Sequence, residues 1–275
     1  MKQRLLKMVT LGIRQFKDPY YQGFAGQISF YMILSLVPTL LLISKLLTFI
    51  FRKNLQDAVG FIMDYIDNTS MTTQVEKMIM GTGGGTLDIL FVIIAIWAGS
   101  RAQFSLMRIA NHIFSDGEIT GKGFFRDRIN AMKATAVTIV TVIFAIVVLM
   151  FGSSIFELIF QFAGIEAIGA KLWLKLRWIL AIVLYFAMIS YIYYTLPSAH
   201  QLNFKDIVPG SIFASVGLLL VTLIYSAYVD TFADYSVLYG SLATVVSLMF
   251  WFYFLAWVLC LGLLVNKVWM DTRDE

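Results

Sequence analysis

Residues 27–47, QISFYMILSLVPTLLLISKLL, set a glutamine, a tyrosine, a serine, a proline and a lysine into an otherwise apolar run. Gln27, Tyr31, Ser35, Pro38 and Lys45 are separated by 4, 4, 3 and 7 residues, so a helix of 3.6 residues per turn carries them on one face. Hydroxyls, an amide and an amine on one face suit the binding of a polar or anionic solute. Pro38 has no amide proton for the carbonyl of Leu34. The helix should therefore kink there, leaving a carbonyl to be satisfied by protein or by water in a cavity. Lys45 lies seven residues before Arg52, about 10 Å along a helix. It has two readings: an amine extending to the membrane interface, or a functional cation facing an internal cavity.

A second polar group sits in WAGSRAQFSLMRIANHIF, residues 97–114. Arg101, Arg108 and His112 fall on one helical face, and Ser100, Gln103 and Asn111 on the adjacent one. Arg101 is expected below the lipid headgroups, where an arginine requires an anion or a carboxylate. Farther along, Ser211, Ser215, Thr222 and Ser226 share a face with Tyr225 beside it, and Gly240, Thr244, Ser247 and Trp251 share another. Small and hydroxylic residues at this spacing serve either close helix packing or a hydrophilic path.

Conventional catalytic chemistry has few candidates. His112 and His200 lie on different connections, and the one cysteine, Cys260, sits inside the last apolar run, so no pair shows metal-ligand spacing and no disulfide can form within one chain. Carboxylates are nearly absent from the apolar runs, which leaves little for acid–base catalysis. The expectation is a protein that is not an enzyme and needs no metal or cofactor. The glycines of GTGGGT, residues 81–86, read as a hinge; no GK[ST] follows them as a phosphate loop would require.

The elements that must position these residues are membrane helices. The chain is 59% hydrophobic and 14% charged, with a mean hydropathy of +0.79, whereas soluble domains are about one-quarter charged. Apolar runs at about 28–51, 87–108, 132–156, 174–196, 207–229 and 237–265 reach or approach the roughly 20 residues that span a hydrocarbon core. The expected fold is all-α: a single domain over 1–275, with a six-helix transmembrane bundle over 20–270. Residues 1–19 place Leu6, Val9, Ile13 and Phe16 on one face and Lys7, Thr10, Arg14 and Lys17 on another. That segment reads as an amphipathic helix on an anionic membrane surface, or as a positively charged topology anchor. Lys2, Arg4, Lys7, Arg14 and Lys17, with Arg101, Arg108, Lys122, Arg126, Arg128 and Lys133 of the second connection, place both termini on the cytoplasmic side. Residues 109–131 are the expected inner connection, in which GKGFFRDRINAMK suggests a basic helix meeting anionic headgroups.

These residues also carry a family likeness. YMILSLVP (31–38), the stretch from Trp97 to Phe114, VPGS (208–211), YSAYV (225–229), YGS (239–241), FWFY (250–253) and LGLLVN (261–266) together resemble the YihY/BrkB family of bacterial inner-membrane proteins over nearly the whole chain. The resemblance implies six helices and a multi-pass place in the bacterial plasma membrane, and it adds Tyr239 to Tyr225 as a cavity candidate. The family commonly ends its last helix in Gly-Ala-Glu-Leu-Asn; here Leu264 stands at the acidic position, so no role resting on that carboxylate carries over. Members have been labelled virulence-related, possible transporters and, formerly, a tRNA-processing ribonuclease, a label that fits poorly with loops this short and this poor in carboxylates. Two functions stay open. One is a transporter or translocator of a lipid or anionic solute through a polar cavity; the other is a scaffold or lipid-organising protein whose polar stripes are packing seams. Anionic lipid headgroups are the expected partners, nucleic acid is not, and oligomeric state is open. The orientation has a direct check: with Cys260 removed, Asp234→Cys should react with a membrane-impermeant thiol reagent in intact cells, and protection from the reagent would reverse the assignment.

Overall fold

The structure, a computed structural model, describes residues 6, 9, 10, 13, 17, 20–50, 89–118, 121–162, 166–197, 202–232 and 241–273. His200, Asp234, Tyr239, Gly240 and GTGGGT lie outside the described residues. Among the described residues six long helices follow in order: α1 Tyr20–Ile50, α2 Ile89–Phe114, α3 Phe124–Phe162, α4 Glu166–Thr195, α5 Phe204–Phe232 and α6 Ser241–Arg273. No strand occurs among the described residues. Among the described residues, four segments are long and apolar enough to cross a membrane, Gly23–Ile43, Phe124–Val148, Phe204–Val229 and Val245–Thr272, and Ile179–Thr195 is a shorter apolar stretch. Near the N-terminus, Leu6, Val9, Thr10 and Ile13 are helical, and the expected apolar residues Leu6, Val9 and Ile13 are all exposed.

Several helices run past their apolar segments. Residues 109–114 belong to α2 and 124–131 to α3, which shortens the expected inner connection to residues 115–123. Local chemistry fixes those ends. The Gly117 amide donates to His112 O at 2.8 Å and the Asp116 amide to Ile113 O at 3.4 Å, the paired bonds of a Schellman end. Asp116 takes the left-handed position at φ 54° and Gly117 follows at φ 92°; aspartate tolerates that region better than most residues. At the start of α3, the Asp127 carboxylate accepts from the Lys122 amide at 2.9 Å. At the start of α5, Asp206 accepts from the Asn203 amide at 3.3 Å while its own amide donates to Asn203 O at 3.0 Å, so the orphan donors of the first turn find partners.

The contacts form two compact units. Residues 36–98 and 136–185 make one; its core joins Leu42 of α1, Ala95 of α2, and Ile139 and Ile143 of α3, flanked by Leu46, Val92 and Ile146. Residues 1–35, 99–135 and 186–275 make the other, which holds all of α5 and α6. The pattern on α5 is inverted relative to a soluble helix. Ser211, Ala214 and Ser215 are buried, while Ile212, Phe213, Val216, Leu219, Leu220 and Leu223 are exposed. Exposed Phe30, Leu34 and Val37 repeat the theme on α1. Large apolar side chains facing outward and small or polar ones facing inward mark helices that contact lipid, and the chain is a multi-pass membrane protein.

In the larger unit α5 and α6 run antiparallel and touch backbone to backbone. A Cβ at Gly210 would strike the carbonyl of Gly262 and the side chain of Asn266; one at Gly262 would strike the Tyr193 hydroxyl and lie 2.9 Å from Ala214 Cβ; one at Gly217 would lie 2.7 Å from a Val258 methyl. Pro209 has no amide for the carbonyl one turn back, and next to it the Gly210 amide donates to Asn266 Oδ1 at 2.6 Å. Tyr193 of α4 closes the group by donating to Leu259 O at 2.7 Å. Gly262→Leu should therefore lower thermal stability in detergent by about 1–3 kcal/mol. Gly23→Ala, where nothing lies within 4 Å, should not lower it. Equal melting of the two variants would show that the seam contributes nothing.

Candidate functional site

The two polar faces expected on α2 have different surroundings. Ser100 and Asn111 are fully buried and Gln103 is half-buried, while Arg101 and Arg108 are exposed and His112 packs its ring 6.0 Å from Phe24 of α1. On α1, Gln27, Tyr31, Pro38 and Lys45 are half-buried. Ser35 is buried, and its hydroxyl donates to Met32 O of its own helix at 3.0 Å. The helix continues through Pro38. Tyr31, Ser35 and Arg101 belong to the larger unit and Pro38 and Lys45 to the smaller. Leu34, whose carbonyl the proline was expected to free, turns its side chain to the exposed face.

The start of α3 completes a basic and aromatic site. Arg128 is 6% exposed, and its guanidinium lies 5.6 Å from the centroid of the Phe104 ring, within cation–π range. Arg101 precedes Phe104 by about one turn on α2. Arg101 and Tyr31 both act electrostatically on Arg128. Helices α1, α2 and α3 thus bring together a phenol and two guanidiniums. The Phe104 ring meets Phe124 edge-on at 6.0 Å, and Phe124 meets Phe125 edge-on at 5.6 Å. Phe124 and Phe125 are exposed beside exposed Lys122 and Arg126, so an aromatic ladder leads from a buried cation to the surface. Chemically, such a group offers planar donors to an oxyanion and apolar area to whatever carries it.

A second charged group lies at the C-terminal ends of α2 and α6. Lys267 is buried, with its amine 3.1 Å from the Asp116 carboxylate and 3.0 Å from that of Asp271. Two carboxylates against one ammonium compensate the buried lysine and tie the turn after α2 to α6. Tyr225 is elsewhere, stacked on Trp251 at 5.3 Å and 20° and accepting a hydrogen bond from Ser247 at 3.3 Å. The hydroxyl stripe on α5 divides: Ser211 and Ser215 are buried, whereas Thr222 is exposed and bonds Leu218 O of its own helix at 2.9 Å.

Sequence reading placed Arg128 among the headgroup-level charges, yet its side chain is interior. The available signal was its spacing: residues 128, 131 and 135 share a face, and Ala131 and Thr135 are small and buried. Lys267 was not singled out at all, although Lys267 and Asp271 stand at i, i+4. Asn266 appeared only within a likeness to other chains; its role depends on Gly210, 56 residues earlier.

The chain matches the family described as "Virulence factor BrkB" over residues 13–275. It is 26% identical over 249 residues to the "Putative ribonuclease-like protein YfkH" of Bacillus subtilis (strain 168), covering 90% of this chain and 89% of that one. Over 68 residues it is 35% identical to the "UPF0761 membrane protein PSHAa0171" of Pseudoalteromonas translucida (strain TAC 125), 25% of this chain and 22% of that protein. No solved structure matches it. With a family match over all but the first twelve residues and an inside-out helical architecture beneath it, the chain belongs to the virulence factor BrkB family of membrane proteins.

Proposed function

We propose that the protein moves an anionic, phosphate-bearing solute or lipid headgroup across the bacterial plasma membrane, using the site built by Tyr31, Arg101 and Arg128. The observation that carries this reading is Arg128 of α3, held inside the protein against the Phe104 ring and within electrostatic reach of Arg101 of α2. Like charges placed together repel, and a bound oxyanion relieves that repulsion while accepting the planar donor forks. Arg101 is exposed and Arg128 is not, so an arriving anion meets one first and the other deeper. The orientation that belongs to this reading has six crossings and cytoplasmic termini, with the basic ends of α2 and α3 facing anionic lipid. Buried hydroxyls of Ser105, Ser190, Ser211 and Ser215, without a hydrogen-bond partner among the described residues, add polar capacity inside the bundle.

The scaffold reading has one observation of its own: the Gly210–Gly262 seam shows part of the polar stripe on α5 serving close packing. A ribonuclease, the activity in the name of the Bacillus relative, is the less favoured reading. Nuclease chemistry needs carboxylates free to hold a metal or to take a proton. Asp116 and Asp271 are engaged by Lys267, Asp127 caps α3, and Asp206 caps α5. Purified protein should accordingly cut RNA no faster than a mock preparation. A cleavage activity that follows the protein through several columns and vanishes on replacing one of those aspartates would establish the enzyme instead.

Reconstitution tests the transport reading. Vesicles containing the protein should take up radiolabelled inorganic phosphate, or should expose headgroup-labelled phosphatidylglycerol of the inner leaflet to an external quencher, faster than empty vesicles. Arg101→Ala and Arg128→Ala should each slow that flux roughly 10- to 100-fold, the equivalent of losing a charged hydrogen bond of about 1.5–3 kcal/mol. Arg101→Lys should restore only part of it. No flux of either probe above empty vesicles, or flux indifferent to both arginines, would overturn transport in favour of the scaffold.

A further inference from the structure

The contact between helices α5 and α6 changes character along its length. Through Gly210, Ala214 and Gly217 they touch; one to three turns farther along α5 the residues facing α6 are Val221, Tyr225 and Tyr228, opposite Ser247, Trp251 and Phe254. Bulky side chains line both helices here, and Tyr225 stacks on Trp251 from one helix to the other. These side chains line a cavity of about 390 Å³, within the range of small-ligand sites. Among the described residues, all of its lining belongs to the membrane-length segments Phe204–Val229 and Val245–Thr272.

Its polar chemistry is confined to one end. Ser247 donates to the Tyr225 oxygen at 3.3 Å, which leaves the tyrosine proton itself available to an acceptor. Stacking on Trp251 fixes the ring. From Tyr225 the cavity extends to Val221, one turn deeper into α5, and from Trp251 to Phe254, one turn deeper into α6. Among the described residues no ionised side chain lines it. A phosphate or carboxylate would be buried there without a counter-charge, whereas a neutral carbonyl needs only the one donor.

We propose that this cavity binds the acyl chain of an ester-linked membrane lipid, with the ester carbonyl accepting from the Tyr225 hydroxyl and the hydrocarbon lying between Val221 and Phe254. The polar pair sits near the ends of both helices and the apolar walls lie deeper, which is the order of carbonyl and chain in a lipid leaflet. The site uses neither Arg101 nor Arg128, so it stands or falls separately from anion transport.

Photolabelling of the full chain in lipid nanodiscs tests it, using phosphatidylglycerol that carries a diazirine on one ester-linked chain, beside the ether-linked analogue. Label should concentrate on peptides containing residues 221–228 and 247–254. Val221→Trp, which fills the cavity, should reduce that label about 10-fold, while Leu223→Trp, on the exposed face of the same helix, should leave it unchanged. Tyr225→Phe keeps the ring and its stacking, so it guards against misfolding. It should cut labelling by the ester lipid about threefold to tenfold, the loss of one hydrogen bond, and spare the ether analogue. Label spread evenly over the exposed faces of α5 and α6 and indifferent to Val221→Trp would overturn the site. Equal effects of Tyr225→Phe on ester and ether lipids would overturn the carbonyl contact.

Discussion

The contact on which the larger unit depends is the approach of α5 to α6 at Gly210 and Gly262. Two backbones can come this close only where neither carries a Cβ: one at Gly210 would land on the Gly262 carbonyl and Asn266, and one at Gly262 on the Tyr193 hydroxyl of α4. Pro209 removes one amide from the α5 ladder, and the next amide is met from outside by Asn266. In a hydrocarbon phase an unmet amide costs several kcal/mol, so the proline, the glycine and the asparagine have to be read as a set. Tyr193 extends the set to α4 by bonding the carbonyl of Leu259. Once α6 is fixed in this register, Lys267 meets the turn after α2 and Trp251 meets Tyr225, so an ionic tie and an aromatic stack follow from one backbone contact.

Around this contact the molecule distributes side chains by the logic of a lipid solvent. Leu, Ile and Phe bury no more apolar area against protein than against acyl chains, so they face outward along α5. What the interior gains instead is close van der Waals packing of small residues and hydrogen bonds that lipid cannot supply. The cavity lined by Tyr225 and Trp251 is the counterpart of the glycine seam: the same two helices present small residues at one end of their contact and large ones at the other.

The basic site obeys a different constraint. Arg128 carries a charge into the interior at the first turns of α3, where the Phe104 ring, the Tyr31 phenol and the nearby Arg101 define its surroundings. The ring attracts the guanidinium and the second arginine repels it. Phe124 and Phe125 continue the aromatic surface outward. That continuity links an anion-binding reading to a ligand with an apolar part.

Much of this was legible from the chain alone. Continuous apolar runs and scarce charge required membrane helices, because no other structure satisfies a backbone in lipid with local bonds. The spacing of polar residues was sufficient to put Ser100 and Asn111 on a face apart from Arg101 and Arg108, since 3.6 residues per turn is a property of the helix itself. Tertiary structure decided which of those faces is inside: Ser100 and Asn111 are buried while Arg101 is exposed, because exposure depends on the neighbouring helix and not on period. It also decided that Arg128 is interior, that Asn266 serves an amide 56 residues away, and that the stripe on α5 is a glycine seam at one end and a cavity wall at the other. Periodicity describes one helix at a time, whereas each of these outcomes is a relation between two.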